Sequence, residues 1–195
     1  MKDESKLFES AQSGDIKKLA SLLDDGVDPN LRDDHDWTSL HWAAQENHTR
    51  AVGTLIKRGA IVDAEDKEGF TPLMLAVGEG HVGIVRALIA KGANVNQKCR
   101  ANKGGTPLHL ACSWSRFVVA KDLILSGADV NAVDWDGRTP LFFAVMHSRR
   151  RIIKLLIAHG AIVDLDKKVS EENKTILDVA FEAKDTTIIN LLKSA

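Results

Sequence analysis

The side chains in this 195-residue chain best equipped for chemistry are seven histidines, two cysteines and the run Arg149-Arg150-Arg151. Histidine can act as a general base, proton shuttle or metal ligand. His41 and His109, however, share a local setting, Leu40-His41-Trp42-Ala43 and Leu108-His109-Leu110-Ala111. That recurrence marks a structural position. His48 and His81 open helical stretches in the same repeated way. Cys99 and Cys112 are not a close-spaced pair, and no second pair completes a zinc motif, so they read as two reduced thiols. No glycine-rich phosphate loop, H-E-x-x-H helix or G-x-S-x-G elbow occurs. The sequence thus predicts no enzyme, no cofactor and no metal centre. The arginine run suits either an acidic partner or a solvated helix start, and the second is the favoured expectation. Its positive charge opposes the dipole of a helix N-terminus, which makes it anomalous.

Bulk properties narrow the class. Basic and acidic side chains number 26 and 27, a formal net charge of -1. That balance argues against nucleic acid as a partner. The first residues, Met1-Lys2-Asp3-Glu4-Ser5-Lys6, are charged and lack the apolar stretch of a secretory signal. No apolar run approaches the ~20 residues of a membrane span. The expectation is a cytoplasmic chain with no membrane partner, nuclear entry and effector secretion being left open.

What must position any functional side chain is a repeated element. Thr38-Ser39-Leu40-His41-Trp42-Ala43-Ala44 recurs as Thr71-Pro72-Leu73-Met74-Leu75-Ala76-Val77 and as Thr106-Pro107-Leu108-His109-Leu110-Ala111-Cys112. It appears again as Thr139-Pro140-Leu141-Phe142-Phe143-Ala144-Val145 and, weakly, at Thr175-Ile176-Leu177-Asp178-Val179-Ala180-Phe181. A second series, Gly26, Gly59, Gly92, Gly127 and Gly160, keeps phase with it. Threonine suits a helix N-cap and proline the first helical position. The ladder glycine suits a left-handed helix end. Ile84, Val85, Leu88 and Ile89 place one apolar stripe on the second helix of their unit.

A unit of about 33 residues with a T-P-L-H-x-A core, complete at Thr106–Ala111, resembles the ankyrin repeat. The resemblance implies an all-α repeat solenoid of six stacked helix-turn-helix units with short β-hairpin-like turns, forming a single domain over 1–195. The units are expected at 1–33, 34–66, 67–99, 100–134, 135–167 and 168–195. The first and last depart from the motif, as self-capping ends would. The histidine of the motif, here His41 and His109, is expected to bond backbone and lock adjacent turns. Asn30, Asn96 and Asn131 each follow a leucine by eight residues. This is similar to the context read by asparaginyl hydroxylases of ankyrin repeats, although the fold alone imposes both positions.

The resemblance also implies a concave groove lined by turn tips and first helices, where another protein binds. Carried over by position, the contact residues are Asp34, His35 and Trp37; Lys67, Glu68 and Phe70; Lys103; Trp135 and Arg138. To these the first helices add Glu46, Glu79, Trp114, Met146 and His147. Trp37, Phe70, Trp114 and Trp135 are large aromatics that the fold does not require, and lined-up exposed apolar residues mark binding surfaces. Trp42, at the position of Leu75 and Leu110, is expected in the core. The chain is expected to act as an adaptor, scaffold or inhibitor, monomeric when unbound. The alternatives are self-association through the apolar last helix (Ile188, Ile189, Leu191, Leu192) and, less favoured, an enzyme with an unrecognised site.

Overall fold

The computed structural model describes residues 2–169 and 173–195. Among them lie twelve α-helices in six antiparallel pairs: α1 (Lys2–Ser13) and α2 (Ile16–Asp24), α3 (Ser39–Gln45) and α4 (Thr49–Lys57), α5 (Pro72–Glu79) and α6 (Val82–Ala90). The later pairs are α7 (Pro107–Ser113) and α8 (Phe117–Leu125), α9 (Pro140–Met146) and α10 (Arg150–Ala158), α11 (Ile176–Glu182) and α12 (Thr186–Lys193). No helix among the described residues is long and apolar enough to cross a membrane. No β-strand occurs among them, only isolated bridges of Cys99 with Gly105 and Val169 with Lys174. The hairpin-like turns are closed by single backbone bonds, such as the Asp33 N–H to the Trp37 carbonyl at 3.0 Å and the Asp66 N–H to the Phe70 carbonyl at 3.0 Å, with side chains added to them.

Local sequence sets the helix ends as expected. Thr71, Thr139 and Thr175 accept the backbone N–H three residues on, at 3.3, 3.3 and 3.1 Å. Where the motif histidine is present, it returns a bond to the cap. Nδ1 of His41 accepts from the Thr38 N–H at 3.1 Å, and Nδ1 of His109 from the Thr106 N–H at 3.0 Å. Nδ1 must then be unprotonated, so Nε2 carries the proton and donates to the Phe70 carbonyl (3.2 Å) or the Arg138 carbonyl (3.1 Å). Each ring thus ties its helix start to the next hairpin. Burial holds both imidazoles below the ordinary histidine pKa. In α11, Asp178 takes the histidine's place, and its carboxylate accepts from the Thr175 N–H at 2.9 Å.

The chain divides into two compact units, Met1–Asn94 and Val95–Ala195. In the first, α1, α3 and α5 pack in series, with α2, α4 and α6 in a second layer. The core between layers is built from Leu7, Leu19, Leu40, Leu55, Leu73, Ile84 and Leu88, all fully buried. In the second, α7, α9 and α11 pack in series, and α8 packs on α10. Leu108, Leu123, Ala144, Ile153 and Leu156 fill its interior. Ile188 and Leu192 of α12 are buried too, so part of that helix's apolar face is turned inward.

Asparagine stitches neighbouring repeats. Nδ2 of Asn30 donates to the Gly59 carbonyl at 3.0 Å while its Oδ1 accepts from the Ile61 N–H at 2.8 Å. Asn131 makes the same pair with Gly160 (3.0 Å) and Ile162 (2.8 Å). Asn96 makes it with Gly127 (3.0 Å) and Asp129 (2.9 Å).

Candidate functional site

The hairpin tips are folded by an aspartate at one repeated position. Oδ1 of Asp33 accepts from the N–H groups of His35 and Trp37, both at 2.9 Å. Asp66 does so with Glu68 (2.9 Å) and Phe70 (2.8 Å), and Asp134 with Asp136 (3.0 Å) and Arg138 (2.8 Å). The second carboxylate oxygen then seizes a large side chain. Asp33 Oδ2 accepts from Trp42 Nε1 at 2.9 Å, Asp66 Oδ2 from Trp37 Nε1 at 3.0 Å, and Asp134 Oδ2 from Arg138 Nε at 2.8 Å. The same oxygen pattern thus makes the turn and aims what stands beside it.

In the first unit this fixes two indoles together. Trp37 and Trp42 lie with centroids 4.6 Å apart at 59°, and Trp37 stacks on His41 at 6.0 Å. Both tryptophans are half-buried. With Phe70 and Leu75 they wall an open hollow of about 440 Å³, whose rim is His35, Asp66, Lys67 and Glu68. The Lys67 ammonium is bound by the Asp34 carbonyl. Asp34, Glu46 and Glu79 are exposed, and Gln45 reaches Glu79 at 3.1 Å.

In the second unit the corresponding residues separate. Trp114, at the end of α7, is 62% exposed. Trp135 is also 62% exposed, yet its indole covers Gly104 of the preceding hairpin. Lys103 pairs with Asp136 at 3.0 Å. Arg138 pairs with Asp134 (2.8 Å) and Asp136 (3.0 Å) and lies 4.8 Å from the Phe143 ring centroid. It is therefore a hairpin brace. Met146 and His147 are exposed at the end of α9, and burial and the Arg149 charge lower the His147 pKa.

Three expectations need correction. Trp37 is not an outward ring without packing duty, because its indole N–H is spent on Asp66 and its face on Trp42 and His41. Trp42 is not core; it is drawn to the hollow's wall by Asp33. Arg149-Arg150-Arg151 is not a merely solvated helix start. Arg149 Nη2 donates to the Ser113 carbonyl at 3.2 Å, Arg150 Nε to Asp185 at 2.8 Å, and Arg151 lies 4.1 Å from the Phe117 centroid. Arg150 lowers the Asp185 pKa by that bond.

Sequence reasoning brought Trp37, Phe70, His35, Lys67 and Glu68 to one place but missed Asp33, Asp66, Trp42 and Leu75. The available signal was aspartate at the same place in three repeats, Asp33, Asp66 and Asp134. In the intervening hairpin Cys99 stands there instead, buried, in the loop two residues longer. Burial raises the pKa of the other thiol, Cys112, and so keeps it protonated.

Among known families, a model of ankyrin repeats in three copies matches residues 7–99 and 108–195, and one of ankyrin repeats in many copies matches residues 75–124. The chain belongs to the ankyrin-repeat family. Repeats of this family generally serve as protein–protein interaction modules. No individual curated protein matches the sequence significantly.

Proposed function

We propose that this chain is a non-enzymatic interaction module, an adaptor, scaffold or inhibitor, that holds a partner polypeptide by its hairpin tips and first helices. The reading places it in the cytoplasm, monomeric when unbound, with Asp34, His35, Trp37, Lys67, Glu68 and Phe70 as one contact cluster. Glu46 and Glu79 extend that cluster on the same unit, and Lys103, Trp114, Trp135, Arg138, Met146 and His147 form the contacts of the second unit. The observation that carries it is the Trp37–Trp42 pair, pinned by two carboxylates at the wall of an open hollow. Rings fixed before binding lose little freedom when a partner arrives, which is the usual advantage of preorganised aromatic anchors. An aromatic wall with carboxylates at its edge suits an apolar or cationic side chain.

The test is selection of peptides from a random display library against the whole chain. Selected peptides should bind Phe70→Ala and Trp42→Phe variants at least about tenfold more weakly, the scale of one lost anchor contact. Helical circular dichroism should remain close to wild type. Equal binding by both variants, or no enrichment of any peptide, would remove the aromatic hollow from the proposal.

A further inference from the structure

The residue just before the second helix of each pair is Asp15, His48, His81, Arg116, Arg149 or Asp185, so α8 and α10 carry arginine where the other second helices carry histidine or aspartate. At α2 and α12 it is aspartate, and Asp15 and Asp185 cap their helices by accepting backbone N–H bonds at 3.0 Å (Lys18) and 3.1 Å (Thr187). At α4 and α6 it is histidine, whose Nε2 meets a carbonyl 36 residues earlier, His48 to Gln12 and His81 to Gln45, both at 2.9 Å. Arg149 makes the corresponding contact, again 36 residues back, to Ser113. At α4 and α6 a histidine makes this contact, and at α10 an arginine makes it. An arginine brings a full charge that the contact does not use.

That charge is not alone. Arg149, Arg150 and Arg151 together line an open hollow of about 320 Å³ with Ser115, Ser148 and Phe117. Among the described residues the three guanidinium groups meet one bonded carboxylate, Asp185, which engages Arg150. Arg149 Nε is enclosed and has no acceptor among the described residues. The Arg151 group is held in position over Phe117. Neither Arg116 nor Arg149 caps its helix, so the positive ends of α8 and α10 add to the same field. Guanidinium groups are planar forks that match tetrahedral oxyanions, and charge-assisted bonds of this kind are the stronger class.

We propose that this hollow binds a phosphoryl group, with Arg151 and Arg150 as its principal donors and the Ser148 and Ser115 hydroxyls completing the shell. The chemistry is that of a dianionic phosphate monoester, carried on a partner's serine side chain or met as free phosphate. The site belongs to residues outside the aromatic hollow, so the two proposals can fail separately.

The whole chain would be titrated by calorimetry with inorganic phosphate, with a short peptide bearing one phosphoserine, and with the same peptide unphosphorylated. Saturable binding of the phosphopeptide, at least roughly tenfold tighter than its serine form, is expected. Arg151→Gln should remove most of that binding and Arg151→Lys only part, both with native circular dichroism. Phosphate competing as strongly as the phosphopeptide would identify the free ion as the ligand; a much tighter phosphopeptide would identify a modified partner. Both results sustain the phosphoryl assignment. It is overturned if the wild type saturates with neither probe, or if Arg151→Gln binds as wild type. Binding to phosphatidylserine vesicles without a response to either phosphate probe would also overturn it.

Discussion

The indole of Trp135 lies so close over Gly104 that a Cβ at Gly104 would stand 2.5 Å from its Nε1. The Trp135 N–H also donates to the Lys103 carbonyl at 2.7 Å, so backbone and ring join the two hairpins at one point. The ring is nonetheless 62% exposed. Packing on a neighbouring turn and exposure to solvent are therefore not alternatives for this residue.

Gly104→Ala should be destabilising for two separable reasons. Gly104 has φ of 75°, where an L side chain costs about 1–2 kcal/mol. The new methyl would also collide with the indole. A double-mutant cycle with Trp135→Ala, read from urea midpoints, should show the cost of Gly104→Ala falling when the ring is gone. An unchanged cost would mean that the close approach carries no energy.

Asp66→Asn should loosen Trp37 without unfolding the hairpin. The amide oxygen of asparagine can still accept from the Glu68 and Phe70 N–H groups, but an amide NH₂ then faces the indole N–H. Loss of this charge-assisted bond should cost about 1–2 kcal/mol, discounted for its half-buried setting. The Trp37 indole proton should exchange faster by NMR in the variant, and the stability cost of Asp66→Asn should shrink in a Trp37→Phe background. Equal exchange in wild type and variant would refute the clamp.

The repeat was legible because the fold dictates it residue by residue: threonine to cap, proline to start, glycine to end and leucine to fill. The histidine's two-sided bond at His41 and His109 was legible for the same reason. The hollow was not, because it depends on which atom of a neighbouring carboxylate an indole finds. Trp42 shares its sequence position with Leu75 and Leu110, but only an indole carries an N–H for Asp33 to capture. The arginine run read as solvated because its partners, Ser113, Phe117 and Asp185, lie one repeat away in either direction.

Stability should decline as pH falls below about 6.5, the unperturbed histidine value. His41 and His109 have lowered native pKa values, so the unfolded chain takes up protons that the native state refuses. Each then removes up to roughly 1.4 kcal/mol per pH unit until its native form titrates. His147 adds in the same direction. Asp178 and Asp185, whose pKa values are lowered, act in a separate window, their contribution being lost only as pH falls below about 3.8. His41→Gln with His109→Gln should flatten the dependence of urea midpoints between about pH 7 and pH 5. A slope as steep as wild type would place the titrating groups elsewhere.

Asn131 offers the sharpest separation of donor from acceptor in the stitch between repeats. Asn131→Asp keeps an oxygen for the Ile162 N–H but turns a carboxylate toward the Gly160 carbonyl, where the amide had donated. Asn131→Ala removes both bonds and leaves water free to reach these exposed backbone groups. Aspartate should therefore cost at least as much as alanine near neutral pH, each about 1 kcal/mol or somewhat more. Acidification toward the carboxylate pKa should narrow the gap, since a protonated carboxyl can donate again. Were aspartate as stable as asparagine at neutral pH, the bond to Gly160 would have no part in holding the repeats together.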